Sequence, residues 1–209
     1  MCIAFLCLFC GDALSECKNY SIPDKIEEYI SEHLHLRAKI NIGKWVALDF
    51  VIDERDLRDA YSCISDEMLS AYKNSKLNIT YKYRNWLRVN NISVYAPAND
   101  FGWANVFVNK PAEKYSENVF NSQFAAGSVI VKESFIFDVN GDISIGPLFY
   151  MEKMQKEFNP NSGDWKFVEV NVDGSYSETN GMGSETTVNC IECHSRRKDT
   201  DYLFFLSSK

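Results

Sequence analysis

The chain has 209 residues, 45% of them hydrophobic and 24% charged. That is enough apolar material for one core and too much for a disordered chain. Acidic residues outnumber basic ones, 29 to 22, for a formal charge of −7. The balance argues against a nucleic-acid partner, because phosphate binding needs clustered cations. No apolar run reaches the ~18 residues that read as a membrane-spanning helix.

Residues 1–13 read as a signal peptide. Met1 to Cys10 is an apolar run of the right length, and Gly11 and Ala13 supply small residues at the spacing of a cleavage site. The n-region lacks its usual positive charge, and a buried N-terminal strand is the alternative. Leu14-Ser15-Glu16-Cys17 starts like a lipobox, but Glu16 stands where a small residue is needed. The expected location is therefore the periplasm, with a lipoprotein as the lesser reading. In an oxidising compartment Cys17 and Cys63 are candidates for a disulfide; two unrelated buried thiols are the other reading.

Residues 20–78 read as a helical N-terminal extension, whose composition assigns it no role. Residues 24–38 place Ile26, Tyr29, Ile30, His33 and Leu34 on one helical face, and residues 44–51 read as a strand. A second helix is predicted over residues 54–72. Leu57, Ala60, Tyr61, Ile64, Met68 and Ala71 form its stripe, Asp53 its N-cap, and Asn74 with Ser75 its end. His33 and His35 lie on opposite sides of the first helix and are read as structural.

From residue 79 the period changes. Ile92–Tyr95, Trp103–Val108, Ser128–Phe137, Ile143–Phe149 and Trp165–Val170 are rich in aromatic and β-branched residues and read as strands. Asn140-Gly141 predicts a hairpin between two of them. A short helix is expected near residues 111–123, and residues 177–189 read as a polar, Gly-rich loop. The fold class is α+β: a mostly antiparallel sheet domain over 79–209, preceded by the helical extension.

One segment carries chemistry. Cys190-Ile191-Glu192-Cys193-His194 is C-x-x-C-H, the attachment pattern of c-type haem. Two thiols at this spacing add to the two vinyl groups on one haem edge. The histidine that follows then reaches the iron as its proximal ligand. A thioredoxin-like pair is an alternative, but it belongs early in a βαβ unit, whereas this motif is near the C-terminus. A zinc site is another, but it wants a second ligand pair, and Cys7 with Cys10 lie in the predicted signal.

The surrounding residues widen the reading. The motif is followed by Lys198-Asp199-Thr200-Asp201-Tyr202-Leu203-Phe204, which is similar to the C-terminal block of the cytochrome P-460 family. Tyr83-Arg84-Asn85-Trp86, Gly127-Ser-Val-Ile-Val-Lys132-Glu133 and Gly163-Asp164-Trp165 resemble three further blocks of that family, in order. The resemblance covers residues 80–209. It implies a small periplasmic cytochrome, commonly a homodimer, with one covalent haem c, an iron held by His194 and an open distal side. In the cytochromes P-460 a lysine cross-linked to haem falls on the Val-Lys-Glu strand, which points to Lys132. Those proteins oxidise hydroxylamine, whereas the related cytochromes c′-beta bind gases such as nitric oxide. A redox protein would be the macromolecular partner.

Alternation on the strand adds to this. Val129, Val131, Glu133 and Phe135 face one way; Ile130, Lys132 and Ser134 face the other. A desolvated Lys132 is a nucleophile, a snorkelling one is not. Two departures bear on turnover. Ala104 stands where hydroxylamine-oxidising members carry an arginine, and the pocket carboxylate falls near Phe149. The expectation is an apolar pocket without a proton acceptor, which leaves enzymatic activity open. Arg196 and Arg197 are candidates for haem propionates, or else a solvated basic cluster. Met151, Met154 and Met182 are candidates for a distal ligand, or packing residues. A non-catalytic electron-transfer or gas-sensing module is the alternative function.

Overall fold

A computed structural model describes residues 52–96, 102–117, 123–137, 142–179 and 188–206. The signal-peptide reading, the helix over 24–38, the strand over 44–51, Cys17, Met182 and the Asn140-Gly141 turn lie outside the described residues.

Helix α1 spans Glu54–Lys73. The Asp53 carboxylate accepts from the Arg55 and Asp56 N–H groups at 3.0 and 2.9 Å. It satisfies two of the donors that a helix start leaves bare. Leu57, Ala60, Ile64, Met68 and Tyr72 are buried; Tyr61 and Ala71 of the predicted stripe are half-buried. Asn74 caps the other end, as expected. Cys63, half-buried on this helix, is disulfide-bonded.

The strands are β1 Leu87–Arg88, β2 Val94–Tyr95, β3 Trp103–Val108, β4 Val129–Phe137, β5 Ile143–Lys153, β6 Trp165–Val170 and β7 Tyr176–Glu178. They form one sheet in the order β1-β3-β4-β5-β6-β7, with β2 also paired to β3. Every pairing among the described residues is antiparallel. The α+β reading therefore holds.

Several boundaries differ from the sequence reading: β1 falls where no strand is predicted, and β2 starts at Val94 rather than Ile92. β5 runs on to Lys153, because Met151, Glu152 and Lys153 stay in register with Phe167, Lys166 and Trp165 of β6. The segment near 111–123 is a 3₁₀ helix over Lys110–Glu117, and its last residues lie outside the description. Ser177 and Glu178, expected in a loop, pair with Glu169 and Val168 as the edge strand β7.

The two sheet faces have separate cores. α1 covers the first, packing on Trp103, Phe107, Val131, Leu148 and Val170 among others. Val106, Val108, Ile130, Trp165 and Phe167 make the second, with Met151, Cys190 and Ile191 packed against it. A bulge separates the two halves of the β4–β5 ladder: Glu133 faces Leu148, but Phe135 faces Ile145. Gly146 and Pro147 supply the extra residue on β5. The Tyr72 hydroxyl donates to the Gly146 carbonyl at 2.8 Å, and the Ser134 hydroxyl to the Pro147 carbonyl at 2.6 Å. A Cβ at Gly146 would stand 2.5 Å from the Ser134 hydroxyl, so this crossing admits only glycine.

On the α1 face one charge is sealed in. Glu133 has no exposure. Arg84 donates to its Oε2 through Nη2 at 2.9 Å and Nε at 3.1 Å. The Tyr83 hydroxyl donates to the same oxygen, and the Tyr61 hydroxyl of α1 donates to Oε1. Burial and the Glu133 charge push both phenols up, so they remain donors. This explains two of the family-like blocks together: Tyr83-Arg84 exists to satisfy Glu133. Replacing Arg84 by Met strands a buried carboxylate and should cost about 3–5 kcal/mol. Tyr61→Phe should cost about 1–3 kcal/mol. Urea unfolding measures both; a loss under ~1 kcal/mol for Arg84→Met contradicts the assignment.

Candidate functional site

Helix α2 spans Val188–His194 and runs into a 3₁₀ stretch over Ser195–Thr200. Helical spacing puts Cys190 and Cys193 on neighbouring turns of one side. Both thiols are free and half-buried. Burial, with the Glu169 charge, pushes the Cys190 thiol up.

The His194 ring is held from three directions. Its centroid lies 5.0 Å from that of Phe167 and 5.1 Å from that of Phe204. Its Nδ1 is 2.6 Å from the Tyr202 carbonyl oxygen. A carbonyl only accepts, so Nδ1 carries the proton and Nε2 the lone pair. Burial lowers the imidazole pKa and keeps the ring neutral.

The sheet supplies the opposite wall. Antiparallel register sets Val106, Lys132, Phe149 and Glu169 side by side across β3 to β6. Lys132 faces away from α1, as the alternation predicts, while Glu133 faces toward it. Burial pulls Lys132 down from 10.5 to about 8, and the nearby Cys190, Cys193 and Glu169 offset only part of that. Its ammonium sits 4.8 Å over the Phe149 ring. Lys132 is half-buried, and the shielding of its ammonium from water is what lowers its pKa.

Glu169 brings a carboxylate to the face where the sequence reading expected apolar residues alone. Phe149 and Ala104 are where the sequence put them, and Ala104 is fully buried opposite Ser134. The carboxylate comes instead from the next strand, directly across from Phe149. Glu169 is half-buried and acts electrostatically on both Lys132 and Cys190. One sequence signal pointed to it: Trp165, Phe167 and Glu169 alternate on one side of β6.

The remaining candidates divide. Arg197 lies 5.6 Å over the Phe204 ring, next to His194, whereas Arg196 is exposed and pairs with Glu192 at 3.9 Å. Met151 packs in the core on the site face and Met154 is half-buried just after β5. No group of three or more His, Cys, Asp or Glu could hold a metal ion among the described residues. No described helix is long and apolar enough to cross a membrane.

A family model described as Cytochrome P460 matches residues 80–205. The chain belongs to the cytochrome P460 family. None of the curated proteins matches it. The family implies haem binding, and the residues present fit that group. Two free thiols, a neutral histidine with its lone pair on Nε2, and an apolar sheet face stand together.

Lys132 gives a pH prediction for the haem-free chain. The native lysine loses its proton near pH 8, and the unfolded one near 10.5. Between those values the unfolded chain binds more protons, so stability rises with pH. Below pH 8 both forms are charged and the burial penalty acts in full. Lys132→Met should therefore be more stable than the parent at pH 7, with the gap closing between about pH 8 and 10.5. Denaturant midpoints against pH check this; a pH-independent gap contradicts it.

Proposed function

We propose that the protein is an exported mono-haem c-type cytochrome acting on a small nitrogen species, with hydroxylamine oxidation as the favoured reaction. Cys190 and Cys193 would hold the haem by thioethers, and His194 would ligate the iron. Bound there, haem supplies an iron that takes a small ligand and exchanges electrons. The observation that carries the reading is the placement of Lys132 and Glu169, either side of Phe149, on the sheet face toward these thiols. A lysine that loses its proton near pH 8 is available to bond a haem ring carbon, which gives up its hydrogen while an external two-electron oxidant, a peroxide, takes the electrons. A carboxylate two strands away is available to take the protons that an N–H or O–H substrate must lose. Phe149 and Val106 between and beside them limit water. Arg197 suits a propionate better than Arg196. The disulfide at Cys63 supports an oxidising compartment and hence export. A homodimer and a soluble redox partner complete the proposal.

A second reading has its own support. The half-buried Phe149 ring under the Lys132 ammonium gives an apolar surface suited to a neutral gas such as nitric oxide. The two readings part on one experiment. The protein is matured with haem in the periplasm, and the Lys132 peptide is weighed while hydroxylamine turnover is followed. A haem adduct on Lys132 with turnover, lowered about 10²- to 10⁴-fold by Glu169→Gln, is the expected result. Haem retained with an unmodified Lys132 and no turnover overturns the enzymatic reading in favour of gas binding or electron transfer.

A further inference from the structure

The segment after the haem motif contains two strained residues in succession. Asp201 has φ 53° and Tyr202 has φ 66°. Aspartate tolerates the left-handed region, but a bulky residue such as tyrosine does so only when its surroundings impose it. The strain has a consequence at the site, since the Tyr202 carbonyl is the acceptor for His194 Nδ1 at 2.6 Å.

The surroundings converge on Asp201. The Lys153 ammonium reaches its Oδ1 at 2.6 Å, and the Phe124 N–H donates to its Oδ2 at 2.7 Å. The Trp165 indole N–H donates to its carbonyl at 2.8 Å. Both charged side chains are nearly sealed, Lys153 at 12% exposure and Asp201 at 7%. The next residue is fixed as well. The Tyr202 N–H donates to the Arg197 carbonyl at 2.7 Å. Its ring lies on Gly163, where an added Cβ would meet it at 2.3 Å. A buried ion pair is a costly device for stability alone, because two charges leave water to make it. Its place here, one residue from the carbonyl that orients the histidine, gives it another use.

We propose that Lys153 and Asp201 are positioning residues for the proximal histidine. Their ion pair holds residues 201–202 in the conformation that aims the Tyr202 carbonyl at Nδ1. That hydrogen bond fixes the ring and raises its basicity toward the iron. The inference rests on His194 being the iron ligand.

The test uses the haem-loaded protein and two readouts: the ferrous iron–histidine stretch by resonance Raman, and the reduction potential. Asp201→Asn and Lys153→Met should weaken the aimed hydrogen bond. The stretch should fall and the potential should become more positive. Lys153→Arg should stay close to the parent. Lys166→Met, which breaks the Lys166–Glu178 pair elsewhere on the sheet, should also stay there. Where Asp201→Asn fails to fold, Lys153→Met carries the test. Folded, haem-loaded variants with the parent stretch and potential overturn the positioning role and leave the cytochrome reading intact. A parent protein without haem overturns the cytochrome reading and this role with it.

Discussion

A carboxylate with no exposure in the middle of a sheet must be matched by charge and donors, and Glu133 is that group. Its partners come from two other parts of the chain: Tyr61 from α1, and Tyr83 with Arg84 from the 3₁₀ turn before β1. The network therefore joins α1 to the family-matched residues. It also fixes the facing of β4. A slip of one residue would expose Glu133 to the site and bury Lys132 under α1, with neither group satisfied. Lys132 faces the cysteines because its neighbour is tied to the other side.

The opposite face is organised by the C-terminal segment. Gly163 and Trp165 receive Tyr202 and Asp201, Lys153 closes on the Asp201 carboxylate, and the Tyr115 hydroxyl donates to the Phe204 carbonyl at 2.7 Å. The chain after His194 thus returns to the sheet and brings Phe204 and the Tyr202 carbonyl against the imidazole. Rigid strands carry Lys132, Phe149 and Glu169; a short helix and a pinned turn carry the thiols and the histidine. On the proposed function, a small ligand there would meet groups that need little reorganisation.

Much of this was legible in the sequence. Periodicity marked α1 and its buried stripe, and β3 and β6 fall on the predicted residues. Alternation placed Lys132 and Glu133 on opposite faces, and C-x-x-C-H drew attention to residues 190–194. What escaped was set by register and by contacts between distant segments. Glu169 lies across from Phe149 only because β5 and β6 pair as they do. The continuation of β5 to Lys153 rests on the pairing of its last residues with β6. The resemblance supplied the Tyr-Arg, Val-Lys-Glu and Gly-x-Trp blocks without their reasons, which are the pairing of Arg84 with Glu133 and of Trp165 with the Asp201 carbonyl. Both are long-range contacts that no local pattern encodes.

The account stands on haem being held by residues 190–194. The most direct measurement is the mass of the proteolytic fragment that contains them, from protein matured in the periplasm and then denatured and extracted with acid and organic solvent. The account predicts one haem retained on that fragment through Cys190 and Cys193, with the absorption of a c-type haem. A fragment with two unmodified thiols, and haem either absent or wholly extracted, would contradict it.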